Sequence, residues 1–141
     1  MNRVRRLVPA CLATAFALAS ALPAAAFDWT PYREDSTIEI LTFDEDGSLR
    51  ETKIWIVVLD DAGYVRTNDS RWLANIRRDP AVRLRTRGVE SWFTAEETDD
   101  ADVYDAVEEA FKQKYGWMQR TMSVFRMSRP TVLRLTPRSD P

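Results

Sequence analysis

Lys53, Thr67, Ser70, Arg71 and Trp72 are of types that can do chemistry: two cations, two hydroxyls and an indole. Lys53 is one of only three lysines, and it opens Lys53-Ile-Trp-Ile-Val-Val-Leu59, the most apolar of the strand-like segments. Thr67 ends a β-type segment, and Ser70 stands where a helix begins, so its hydroxyl can cap free N–H groups. A hydroxyl, a helix N-terminus and a guanidinium form a site for a dianion such as a phosphate wherever a fold brings them to one point. Trp72 adds a flat apolar face, suited to stacking on a ring or to filling a core. Lys53 and Arg71 also have a plainer reading, as solvated cations facing acidic turns.

Composition narrows what such a site could do. The 141 residues include no histidine and one cysteine, Cys11. That excludes Ser–His or Cys–His nucleophile pairs, an imidazole base, and haem or zinc held by histidine. A single cysteine also excludes internal disulfides and cysteine metal clusters, so no metal is expected. Catalysis must come from carboxylates, arginine, lysine or hydroxyls, or from an organic cofactor that brings its own reactivity.

The N-terminus reads as a targeting segment. Arg3, Arg5 and Arg6 precede an apolar run from Leu7 to Leu22, and Ala24-Ala25-Ala26 follows. This is the order of a secretory signal peptide spanning residues 1–26, and the run is short for a permanent span. Cleavage after Ala26 removes Cys11 and three of the 20 basic residues but no acidic one. The remaining chain carries 17 positive and 22 negative side chains, a net charge of −5. An acidic domain argues against general nucleic-acid binding. The expected location is therefore exported, periplasmic or extracellular, with no stable membrane span after cleavage. Arg5-Arg6 also forms a twin arginine, although the flanking residues match folded export poorly.

The elements that must position the five residues follow from pattern. Residues 27–37 read as an irregular lead-in, and the folded domain as 38–136. Ile38–Phe43 is strand-like, and Asp44-Glu45-Asp46-Gly47 is a hairpin turn. Lys53–Leu59 reads as one central strand buried on both faces. Asp60-Asp61-Ala62-Gly63 repeats the turn chemistry and returns the chain into Tyr64–Thr67, which implies an antiparallel meander. Ser70–Arg78 is a short helix stopped by Asp79-Pro80. Val82–Arg87 alternates, with Arg83, Arg85 and Arg87 on a solvated face opposite Glu90, Glu96 and Glu97, and Val89–Ala95 is the next strand. Thr98-Asp99-Asp100 opens a helix whose apolar period runs to Phe111. Gly116 is expected to break that helix, with a second helical segment around Met118–Phe125 and a last strand over Thr131–Leu135. The fold class is thus mainly β, a split β-barrel of about six antiparallel strands with two or three short helices.

This order of elements resembles the flavin-binding split barrels, the pyridoxamine-phosphate-oxidase-like superfamily, and above all its small members of unassigned function. The residues that carry the resemblance are Lys53–Leu59, then Gly63-Tyr64-Val65-Arg66-Thr67, then Ser70-Arg71-Trp72-Leu73-Ala74-Asn75-Ile76-Arg77-Arg78-Asp79-Pro80-Ala81-Val82. The last stretch is similar to the family's strand-ending threonine, Ser-Arg-Lys-like turn, and helix leading to Asn-Leu-x-x-Asp-Pro-x-Val. By resemblance, Thr67, Ser70 and Arg71 would hold the phosphate of FMN, and Lys53 would supply a cation from the preceding strand. Trp72 occupies the place of the turn's second cation, where it could stack on the flavin together with Trp92. The family's polar ring-contacting residue near Ser91 has no evident counterpart. The resemblance implies an FMN-binding homodimer, with flavins at the subunit interface and oxidoreductase activity on an unknown substrate. Two alternatives stay open: a cofactor-free secreted binding or structural module, and a deazaflavin-dependent reductase. Trp55 reads most simply as a core or dimer-interface residue.

Overall fold

Alternation in Ala81–Thr86 (β5) sets the middle of the sheet: Val82, Leu84 and Thr86 are buried, while Arg83 and Arg85 take the opposite face. On one side β5 pairs with Ile38–Phe43 (β1), setting Ile40 opposite Leu84. On the other it pairs with Val89–Glu97 (β6), setting Val82 opposite Phe93. Beyond them lie Leu49–Ile54 (β2), Val57–Leu59 (β3), Ala62–Thr67 (β4) and Thr131–Pro137 (β7). The seven strands run in the order β2-β1-β5-β6-β7-β4-β3, every neighbour antiparallel. This computed structural model describes residues 26–122 and 129–139. The signal-peptide reading lies outside them except for Ala26. Among the described residues no helix is long and apolar enough to cross a membrane.

The mainly β, antiparallel architecture is the expected one, but Lys53–Leu59 is not one strand. β2 and β3 follow each other in sequence and form the two opposite edges of the sheet, joined only by Trp55 and Ile56. Three Cα–Cα steps from Ile54 to Val57 span at most about 11 Å, so the sheet must curl until its edges nearly meet. The strand ends where it does because β1, its partner, begins at Ile38, opposite Ile54. No meander forms across these hairpins, since β2 and β3 do not pair.

The curled sheet has two apolar sides. Its interior is filled by residues such as Ile40, Leu84, Phe93, Leu135, Val65 and Ile56. Outside β3, β4 and β7, Val57, Tyr64 and Val132 pack against Val107, Phe111 and Tyr115 of the helix Ala101–Met122 (α3). Ile54 and Ile56 therefore face one core, and Trp55 and Val57 face the other. The unbroken hydrophobicity of 54–59 records two cores on alternate faces.

Three further expectations change. The lead-in contains a helix, Thr30–Glu34 (α1), and Trp29 and Tyr32 are buried in the barrel with Phe27 packed against them. Gly63 lies inside β4, with Trp29 ring carbons 2.9 Å from where its Cβ would stand. The turn's left-handed residue is Asp60, at φ 50°. Gly116 does not break α3, which runs 22 residues to Met122, and the expected segment to Phe125 extends beyond the described residues. Asp100 Oδ1 accepts from the N–H groups of Asp102 and Val103, both 3.0 Å away, and so caps the start of that helix.

Candidate functional site

An open cleft of about 380 Å3 lies beside the junction between the sheet edges. Lys53 and Trp55 come to it from β2 and the junction, Arg66 and Thr67 from the end of β4, Trp72 from the helix Arg71–Arg78 (α2), and Phe111 from α3. Its walls are aromatic and its charges are cationic. Lys53 is exposed, makes no ion pair among the described residues, and also borders a second, smaller cleft with Arg85 and Arg87. Trp55 stacks on Tyr115 with ring centroids 4.7 Å apart, which holds its plane fixed.

Three of the five expected residues, Lys53, Thr67 and Trp72, line this cleft together. Ser70 is the N-cap of α2 and accepts from the Leu73 N–H at 3.2 Å. Its hydroxyl lies 3.2 Å from that of Thr67, which donates to the Asn68 carbonyl at 2.8 Å. Trp72 is only 7% exposed and belongs to the barrel core, so most of its face is already covered.

Arg71 is not brought to the cleft. It lines a separate groove of about 370 Å3 with Asp44, Glu45, Asp46, Asn75 and Arg78. Adjacent helical residues point about 100° apart, so a helix that buries Trp72 turns Arg71 outward. Asn75, 5% exposed, donates to Thr42 Oγ1 at 3.0 Å and to Asp44 Oδ1 at 2.7 Å, tying α2 to the β1–β2 hairpin. Hydrogen bonds from Arg50 and then Asn75 pull the Asp44 carboxyl down to about 2. Trp92 also stands elsewhere: it lies on the charged outer face, with the Arg83 guanidinium 5.4 Å from its ring. There Arg83, Arg85 and Arg87 form the expected ion-pair face, but among the described residues only Glu90 of the expected partners takes part; Glu39, Glu51, Glu34 and Asp35 supply the rest, and Glu97 pairs with Arg77 instead.

Arg66 is the cleft residue that motif reading passed over. Its side chain is 5% exposed; Nη1 donates to Glu108 of α3 at 2.6 Å, and the guanidinium carbon sits 4.2 Å from the Phe111 ring centroid. Its Nε is buried without a partner. Alternation along β4 puts Val65 inside the barrel and Arg66 on the other face, but only the packing of α3 reveals what Arg66 meets.

A family model described as an uncharacterized protein conserved in bacteria, DUF2255, matches residues 30–135. The chain belongs to this family. No curated protein matches it. Among solved structures, it is similar to a conserved hypothetical protein from Mycobacterium tuberculosis, at TM-score 0.66 and 21% identity, covering 86% of this chain and 84% of that one. It is similar to HutZ, the heme storage protein from Vibrio cholerae, at 0.64 and 15%, covering 79% and 87%. It is also similar to an FAD-binding protein from Mesorhizobium loti, at 0.60 and 12%, covering 78% and 84%. The DUF2255 chain therefore has the split-barrel fold of these structures.

Proposed function

We propose that this DUF2255 protein is an exported, homodimeric flavin-binding split-barrel protein, with FMN as the cofactor and oxidoreductase chemistry as its use. One observation carries the reading: an open cleft of about 380 Å3 combines the exposed Lys53 with aromatic side chains from three elements. That volume falls within the range of small-molecule sites, roughly 300–1,000 Å3. Aromatic walls suit a flat ring, and a cation at the rim suits a phosphate. Lys53 would hold the phosphate, with Thr67 beside it, and Trp55 and Trp72 would border the ring. When bound, the flavin would supply the hydride transfer, chemistry that requires no imidazole from this chain. The similarity to HutZ leaves haem a question of ligand, and with no histidine in the chain an axial imidazole cannot come from it.

A cofactor-free binding module is the second reading, favoured by Arg71 pointing into another groove and by Trp72 being mostly covered. The absorption spectrum of the purified protein, before and after adding FMN, separates the two. A bound flavin stays with the protein on gel filtration and loses its free fluorescence. A colourless protein from which added FMN and deazaflavin both wash off, fluorescence unchanged, sinks the first reading. Light scattering tests the homodimer, and N-terminal sequencing of the exported protein tests cleavage after Ala26.

A further inference from the structure

Building on the cleft assigned above, we propose that Arg66 is its anion-selecting residue and that Glu108 holds Arg66 in reserve. An oxyanion of the phosphate-monoester class, entering beside Lys53, takes the guanidinium from Glu108. The pair is asymmetric: the Arg66 side chain is 5% exposed and that of Glu108 26%, so the carboxylate can turn to water while the guanidinium stays. Of the five N–H donors an arginine carries, the Nη1 donor to Glu108 is the engaged one among the described residues, and Nε is buried unpartnered. A buried donor without an acceptor is costly, so the cleft wall holds hydrogen-bonding capacity that its own side chains leave unused.

Geometry favours a planar, fork-like contact. The guanidinium face rests over Phe111, which leaves the N–H edge for the ligand. Phosphate oxygens match such an edge two at a time, whereas the Lys53 ammonium attracts any anion as a point charge. The turn hydroxyls are already engaged, with Thr67 donating to Asn68 and Ser70 accepting from Leu73. Lys53 and the N–H groups of Arg66 not given to Glu108 are therefore the cationic donors that the cleft can offer. Because Glu108 lies on α3, occupancy of the cleft also weakens the one ion pair recorded between β4 and that helix among the described residues.

The test titrates the full-length protein with inorganic phosphate, FMN and riboflavin at constant ionic strength, alongside Glu108→Gln and Arg66→Met. Removing the competing carboxylate in Glu108→Gln is expected to tighten phosphate and FMN roughly 2- to 5-fold and leave riboflavin unchanged. Arg66→Met is expected to weaken phosphate and FMN, leaving FMN only the advantage over riboflavin that Lys53 supplies. If Arg66→Met does not fold, Arg66→Lys, which keeps the charge and loses the fork, is expected to bind phosphate more weakly than the wild type. Unchanged phosphate and FMN affinity in Glu108→Gln overturns the proposal. Phosphate binding that responds to both substitutions, with neither flavin bound, upholds Arg66 and removes the flavin reading. Flavin binding indifferent to both substitutions removes Arg66 and leaves the flavin reading intact.

Discussion

The Tyr115 hydroxyl serves both backbone groups of Ile56, donating to its carbonyl at 2.9 Å and accepting from its N–H at 3.2 Å. Ile56 is fully buried and lies between β2 and β3, where neither strand ladder reaches. One phenol on α3 thus satisfies the backbone at the point where the chain crosses from one sheet edge to the other. Lys114 reinforces it, donating to the Ile56 carbonyl at 3.0 Å and to that of Tyr32 at 3.3 Å. Burial lowers the Lys114 pKa and raises that of Tyr115.

Replacing Tyr115 by phenylalanine keeps the ring on Trp55, strands the Ile56 N–H and leaves the Ile56 carbonyl to Lys114 alone. The expected loss is about 1–3 kcal/mol, the cost of leaving buried donors and acceptors unpaired. Urea denaturation of wild type and Tyr115→Phe measures it. Equal midpoints and slopes would show that water replaces the phenol without penalty.

Gly63 is held by contact with Trp29 and not by turn geometry. A methyl group there would meet ring carbons at 2.9 Å and Ile56 Cδ1 at 3.1 Å. Gly63→Ala is therefore expected to destabilise by about 1–3 kcal/mol, the range for overpacking a filled core. It should also change tryptophan emission as Trp29 shifts. A variant as stable as the wild type, with the same spectrum, contradicts the close packing.

Acid should loosen the β1–β2 hairpin where it meets α2. The folded Asp44 carboxyl sits at about 2 against an ordinary 3.8, so its contribution is present above about pH 4. That contribution fades as pH falls toward about 2, because a depressed carboxylate pKa means the unfolded chain takes up the proton first. Asp44→Asn should lower stability at neutral pH and flatten this part of the acid limb. Denaturation midpoints at several pH values below 5 measure the slope; parallel curves for the two proteins refute it.

The two cations once grouped by motif should separate in binding. Lys53→Ala is expected to weaken FMN by about 1–3 kcal/mol, the scale of a hydrogen bond to a charged group. Arg71→Ala should leave FMN unaffected, since Arg71 lines the groove beside Asp44. Fluorescence titration of both variants decides this, and a larger loss at Arg71 reverses the assignment.

What the sequence by itself determined is local or additive. Strand alternation at Val82–Thr86, the Ser70 cap, the Asp-rich start of α3 and the absence of histidine all follow from neighbouring residues or from counting. Lys53, Thr67 and Trp72 were legible as a group because the family pattern places them in order. Tertiary structure alone decided where that order leads. Lys53–Leu59 reads the same whether it is one strand facing two layers or two strand ends facing two cores, since both cover its apolar side chains on alternate faces. Only the curling of the sheet, which makes β2 and β3 opposite edges, distinguishes them. Arg71 and Trp72 are adjacent in sequence yet part company around the helix, because burying the indole in the barrel fixes the rotation of α2. Arg66 carried no motif; it enters the cleft because α3 packs over β4 and brings Glu108 and Phe111 to it, a contact made across more than 40 residues of chain.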